Sequence, residues 1–441
     1  MNDRDGICAR AVSRLLNLKT NETPAVLSGL FLFFLLFVSY SMLRPVRETM
    51  GIAGGVRNLQ WLFTGTFIAT LAVLPIFGWV ASKVSRRAIL TWTYGFFTLN
   101  LLVFSTAMLV NPGSIWLGRI FYIWLSVFNL LAISLAWSVL ADVFSREQAK
   151  RLFAMIAAGA SVGGLAGPLL GTRLVSHIGH AGLLFLSALL LAGSMRSATA
   201  LHRWRDRTPL TGAEDSDENS PEGRQRPIGG NPFSGATAVF SSPYLFGISI
   251  FVLLLSSVST FLYFEQARLV AEIFPDRTQQ TEVFGRIDSI VQALAIMTQI
   301  FFTGRITKKL GIGVLLIAVP IAMAAGFAWL AIAPVFSVCV IVMVVRRTGE
   351  FALVRPGREM LYTVIPPDGK YKAKNFTDTV VYRGGDAISG WVRSGLTRLG
   401  DPSLAMLIGS ILALVWAAVG FGLARKQTRL ENQIASSEKS P

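Results

Sequence analysis

The 441-residue chain is 52% hydrophobic and 15% charged, with a mean hydropathy of +0.54; about 25% charge is usual for a soluble protein, so this composition excludes an ordinary soluble domain. Its net charge of +16 would suit nucleic acid. Lys and Arg instead gather in alternate loops between apolar blocks, the positive-inside pattern of a membrane protein, which argues against a nucleic-acid partner.

The N-terminal stretch MNDRDGICARAVSRLLNLKTNETP lacks the shape of a signal peptide, so the first span is expected to serve as its own targeting signal. A spanning helix needs roughly 20 apolar residues, and the sequence predicts about twelve such blocks. They are 23–43, 57–81, 88–110, 114–141, 152–175, 180–196, 242–264, 284–303, 311–332, 334–354, 375–397 and 402–424. Basic loops SKVSRR, SREQAKRLF, LHRWRDR, GRITKKLG, KYKAK and the tail ARKQTR fall on one side. That places both termini in the cytoplasm of a multi-pass protein, here of a bacterial inner membrane.

The organisation expected is a tail (1–22), a six-helix half (23–198), a cytoplasmic linker (199–240) rich in Gly, Pro, Ser and acid, a second six-helix half (241–424) and a tail (425–441). Cys8 and Cys339 imply neither a disulfide framework nor a zinc site. The fold class is therefore all-α and membrane-integral. After the second span, GWVASKVSRRAIL carries Gly78, Arg86 and Arg87 in step with the G-x-x-x-D-R-x-G-R-R loop of the major facilitator superfamily, with Ser82 and Lys83 in place of Asp-Arg. TGRITKKLG occupies the matching place in the second half, as internal duplication predicts. The resemblance implies a secondary transporter working as a monomer, with Arg86 and Arg87 in a gating loop.

Charge inside a span is costly and normally faces a cavity or a partner. Three regions carry it. In YSMLRPVRETMG, Pro45 is expected to end or kink the first helix, and Arg44, Arg47 and Glu48 lie within one turn. They read either as one wall of an anion site or as interfacial anchors whose arginines reach lipid head groups. In VVRRTGEFALVRPGREMLYTVIPP, Glu350 stands three residues from Arg347 and four from Arg346, and Arg355, Arg358 and Glu359 surround an expected helix break at Pro356-Gly357. In NFTDTVVYRGGDAISGWVR, Asn375, Asp378, Thr379, Tyr382, Asp386, Ser389 and Arg393 recur every three or four residues, a polar stripe expected to face a wet path, with a bend at Gly384-Gly385. Arg383 lies beside it. The fifth span, AMIAAGASVGGLAGPLLG, is mostly small residues, suited to sliding or to static close packing. Asp288 in the eighth span and Glu265 at the end of the seventh are further candidates, for coupling or gating.

Arginine outnumbers acid in this set, which favours a small anionic solute, since guanidinium forks bind carboxylate and phosphate bidentately. An exporter of apolar or cationic compounds predicts acids without arginines. A transport fold serving as a solute receptor is a further alternative. An enzyme would need a catalytic cluster, and His177, His180 and His202, the chain's three histidines, form none. Neither a cofactor nor a metal is expected.

The same regions resemble the ATP/ADP translocases of plastids and obligate intracellular bacteria. Their first helix ends in K-P-L-R-D, here Arg44-Pro45-Val46-Arg47-Glu48. Their loop after helix four reads E-A-K-R-F-Y, here Gln148 to Phe153. Their tenth region reads F-D-P-T-K-E-M-A-Y-I-P, here Val354 to Val364. A following K-x-K-G-K-A-A-I-D is matched by Lys370, Lys372, Lys374 and Asp378. The resemblance implies nucleotide exchange on a twelve-helix plan. Departures are Arg44 for Lys, Arg355 for Asp, and a fourth span, FYIWLSVFNLLAISLAW, without the family's Glu. A smaller phosphorylated or carboxylated metabolite is therefore an equal expectation.

Overall fold

The computed structural model describes residues 21–207, 235–398 and 402–437. The expected N-terminal tail up to residue 20, most of the expected linker (208–234) and residues 438–441 lie outside them. Among the described residues every regular element is helical. In chain order these are α1 (Thr23–Ala53), α2 (Leu59–Lys83), α3 (Arg86–Val110), α4 (Ile115–Val143), α5 (Arg146–Arg207), α6 (Ala236–Ser241) and α7 (Pro243–Ile273). Then come α8 (Arg277–Thr298), α9 (Gly304–Ile332), α10 (Phe336–Gly349), α11 (Arg355–Leu361), α12 (Pro367–Phe376), α13 (Tyr382–Arg398) and α14 (Pro402–Ser437).

Among the described residues, eight stretches are long and apolar enough to cross a bilayer. Two of them, Glu147–Arg207 and Arg277–Ile332 with 61 and 56 residues, would reach about 90 and 84 Å at 1.5 Å per residue, far beyond one crossing. Each is broken at a glycine with a left-handed backbone, Gly179 (φ 65°) and Gly311 (φ 71°). A side chain disfavours that conformation and glycine does not. The breaks make four crossings of two stretches. The segmented runs Phe336–Leu361 and Pro367–Arg398, too charged to qualify by composition, complete twelve.

Three π-helical turns interrupt the later helices: Gln299–Thr303 between α8 and α9, Glu350–Val354 between α10 and α11, and Thr377–Val381 between α12 and α13. Such turns are rare and tend to mark functional positions.

The chain divides into two compact units, Met1–Val46 with Val80–Leu117 and Phe128–Ile228, and Arg47–Trp79 with Gly118–Val127 and Gly229–Pro441. In the first, α1 and α5 touch backbone to backbone. Gly159, Gly163, Gly167 and Gly171 share one face of α5 at a spacing of four. A Cβ on Gly159 would stand 2.4 Å from the Leu30 carbonyl oxygen, and one on Gly163 2.5 Å from that of Phe34. At Gly167 it would meet Ser41 Cβ at 2.8 Å and at Gly171 the Met42 carbonyl at 3.1 Å. Small residues permit this approach. Of the two uses open to the fifth span, close packing is the one visible here. Ser39 and Ser187 add a reciprocal hydroxyl pair at 2.7 Å. Glu22, just before α1, is buried and accepts from Arg151 (3.0 Å) and Gln148 (3.0 Å) of α5.

The second unit is cored by α7, α9, α10 and α14 around Phe251, Phe327 and Trp416. Into this apolar packing it admits the charges described next.

Candidate functional site

Pro356 organises the first charged region. It has no N–H, so the carbonyls four and five residues earlier, Ala352 and Phe351, lose a helical partner. The chain adopts the π turn Glu350–Val354 there, and the facing π turn supplies both donors. Thr303 Oγ1 donates to the Ala352 carbonyl at 2.8 Å and Gln299 Nε2 to that of Phe351 at 3.0 Å. The chain stays helical through Pro356-Gly357: the interruption is the π turn just before them, and α11 starts at Arg355. Gly357 is needed for contact, since a Cβ there would stand 2.9 Å from Leu315 Cβ.

This turn sets the ion pairs. Arg346 Nη1 bonds Glu350 Oε2 at 2.8 Å and also donates to Ser259 Oγ of α7. Arg347 pairs with Asp288 of α8. The i,i+4 spacing thus forms the Arg346 pair at Glu350. All four groups are buried. Arg358 pairs with Asp378 at 3.2 Å, and Lys374 with Glu359 at 2.6 Å. Arg355, which reverses the charge of the family pattern, is exposed and lies over the Phe351 ring at 4.6 Å. The Nε atoms of Arg346 and Arg358 are buried and meet no acceptor among the described residues.

The polar stripe of the eleventh span has a counterpart that the sequence hid. Ser249 bonds Thr377 (3.0 Å), Ser256 and Thr260 bond Asp386 (2.8 and 3.2 Å), and Ser257 bonds Ser389 (2.8 Å). Arg393 bonds Glu265 at 3.0 Å. The expected wet path is, along this side, a packed polar seam between α7 and α13. Tyr382 opens α13 half-buried, and its carbonyl accepts from Ser256 at 3.0 Å. Arg383 stands 3.6 Å from Asp386. Gly384-Gly385 does not bend the helix, which runs unbroken through both. A Cβ on Gly385 would stand 2.8 Å from Ser256 Oγ, so glycine there admits α7. At the far end, Glu265 is gripped from both sides, by Arg393 and by Arg268 (2.5 Å), which continues to Glu272 (2.8 Å).

The opening motif also departs from expectation. α1 continues through Pro45 to Ala53, so Arg47 and Glu48 are helical and enclosed, not a frayed end at lipid. Arg47 Nη2 donates to Tyr122 Oη at 3.0 Å, and its guanidinium lies 4.3 Å from that ring's centre. Tyr122 donates to Tyr263 Oη at 3.2 Å, and Tyr263 donates to Glu48. Arg47 and Glu48 are themselves 3.8 Å apart. Gly51 leaves room for Tyr122, whose Cε2 would lie 2.9 Å from a Cβ there. Interfacial anchoring does not fit this enclosure.

The structure thus gathers Arg347, Arg358, Asp378, Asp386, Asp288 and Glu265 into interhelical contacts of the second unit, while Glu350 pairs along its own span with Arg346. Arg383 pairs within its own helix. Arg44 is half-buried and falls in the first unit. Arg86 and Arg87 begin α3, and their side chains lie outside the described residues. Sequence reasoning passed over Tyr122, Tyr263, Ser256, Thr260 and Arg268. Arg268 alone carried a signal, at i+3 from Glu265 and i−4 from Glu272.

The profile of the Major Facilitator Superfamily matches residues 25–368. No curated protein matches the chain in sequence. Among solved structures, a bacterial homologue of the human lysosomal transporter Spinster, inward-facing and unoccupied, aligns with a TM-score of 0.59 at 15% identity, covering 93% of this chain and 98% of that one. The nucleoside transporter NupG aligns with a TM-score of 0.62 at 15% identity, covering 92% and 99%. The human organic anion transporter MFSD10 aligns with a TM-score of 0.59 at 14% identity, covering 91% and 100%. At these identities the likeness is one of fold.

Proposed function

The chain belongs to the major facilitator superfamily, and we propose that this membrane transporter carries an organic anion by alternating access. The observation that carries this reading is that the buried guanidinium Nε groups of Arg346 and Arg358 meet no acceptor among the described residues. Buried donors are normally satisfied. Each guanidinium already binds a carboxylate of the protein, and a carboxylate or phosphate of the substrate has the same chemistry. An entering anion can compete with Glu350 or Asp378 for these guanidinium groups. Arg47, held by Tyr122 and Glu48, is a further candidate of the same unit, and Arg44 is a separate candidate of the first unit.

The finer reading is a nucleotide or another phosphorylated metabolite, exchanged across a bacterial inner membrane by a monomer with both termini inside. The ATP/ADP translocase resemblance around Arg47 and Arg358 supports it, and Arg355 and Arg44 are then selectivity changes. That NupG is a nucleoside transporter and MFSD10 an organic anion transporter is compatible with it. The exporter of cationic compounds is disfavoured because the acids here are matched by arginines. Purified protein in liposomes loaded separately with ATP, ADP or phosphate is the test. Uptake of labelled ADP that needs internal nucleotide, and is lost in Arg47→Gln with insertion intact, supports nucleotide exchange. Uptake of smaller phosphorylated or carboxylated solutes alone keeps the anion and discards the nucleotide.

A further inference from the structure

We propose that the oxygens around Asp386 form a sodium-ion site, and that Arg383 ties its occupancy to that of the transported anion. The coupling role rests on the anion reading above; the binding of the ion does not.

Asp386 is buried where α13 meets α7. Its Oδ1 accepts from Ser256 Oγ at 2.8 Å and Thr260 Oγ1 at 3.2 Å. Ser256 Oγ is also 3.0 Å from the Tyr382 carbonyl oxygen. One hydroxyl proton cannot serve both acceptors at once. A carboxylate, a carbonyl and two hydroxyls therefore meet in one place with only two protons among them. Hard cations take oxygen ligands of this mixed kind. With a cation of sodium or calcium size at about 2.4 Å from each oxygen, adjacent ligands of an octahedron lie about 3.4 Å apart. The separations here are a few tenths of an ångström shorter, so an ion asks the two helices to part slightly and nothing more. A single carboxylate matches a monovalent charge. α7 meets the group through the hydroxyls of Ser256 and Thr260; its own charges, Glu265, Arg268 and Glu272, bond one another and Arg393 further along.

Arg383 supplies the link. Its Nη1 is 3.6 Å from Asp386 Oδ2, beyond hydrogen-bond reach, and its side chain is 28% exposed. Asp386 has a looser cationic partner than Glu265, Asp288 or Glu350, the other buried acids on the later helices of this unit. When Arg383 turns to an anionic solute, Asp386 keeps a buried charge without compensation, which is strongly unfavourable. A sodium ion among the four oxygens restores it. Anion and cation thereby enter together.

Binding of radioactive sodium to the purified full-length protein, without any anion, is the test. Wild type and Glu282→Gln, a half-buried acid of α8 that pairs with Arg286 and lies far from the oxygens in sequence, are expected to bind saturably and alike, with lithium but not choline competing. Asp386→Asn is expected to lose binding, and Thr260→Val to weaken it by ~10-fold or more. Thr260→Val keeps the side-chain shape, so it decides the matter if Asp386→Asn fails to fold. Absent saturable sodium binding in wild type, or equal affinity in wild type and Thr260→Val, overturns the site. Uptake driven by a proton gradient in protein that binds no sodium also overturns it, assigning Asp386 a proton. Sodium binding that persists while no anion is transported leaves the site standing and removes the anion reading instead.

Discussion

Two helix pairs of this protein are held together by opposite means. α1 and α5 meet through four glycines, with carbonyl oxygens where a Cβ would have to be. α7 and α13 meet through hydroxyls, Asp386 and the Glu265–Arg393 pair. The glycine contact is van der Waals packing and depends on no ligand. The polar seam costs desolvation, and its ion pairs can exchange one partner for another of like charge. One contact is specified by shape alone; the other can respond to a solute.

The largest effect expected is from stripping one partner of a buried ion pair. Glu265→Gln leaves Arg393 and Arg268 facing each other without the carboxylate between them. A loss of ~3–5 kcal/mol in stability is expected, read as a fall in melting temperature in detergent. Next comes Gly163→Val. Overpacking costs about 1–3 kcal/mol, and this site lies at the upper end because a backbone oxygen blocks it. The comparison sharpens if a solute that stabilises wild type raises the melting temperature of Gly163→Val by as much. Thr303→Val removes the donor to the Ala352 carbonyl freed by Pro356. Leaving that group unsatisfied is expected to cost ~1–3 kcal/mol. Thr303→Ser, which restores the hydroxyl, should recover most of it in the same melt. The smallest effect is Ser389→Ala, which deletes one neutral hydrogen bond, worth about 1 kcal/mol. A larger drop there would mean that the seam acts as one cooperative network.

The charged regions stood out in the sequence because charge within an apolar span is costly and normally faces a cavity or a partner. The glycine face of α5 was legible too: a run such as AGASVGGLAG suits a tight neighbour. The partner of the polar stripe was not. Ser249, Ser256, Ser257 and Thr260 barely lower the hydropathy of 242–264, so α7 passed for a plain span. Tyr122 and Tyr263 were lost among other aromatics. The prolines were read as breaks because sequence shows the missing N–H and not the side chain that replaces it. Thr303 and Gln299 lie about fifty residues before the carbonyls they satisfy. Gly385 was read as a bend because close approach and flexibility leave the same letter.

The central claim is that the buried ion pairs of the second unit bind the transported anion and do not merely fasten helices. The double variant Arg347→Met/Asp288→Leu tests it, because replacing a whole buried pair by apolar residues is commonly neutral or stabilising. Melting temperature and anion uptake should be measured on the same proteoliposome preparation. The account predicts stability at or above wild type with uptake abolished. Wild-type uptake from the double variant would contradict it, reducing Arg347 and Asp288 to a structural fastening.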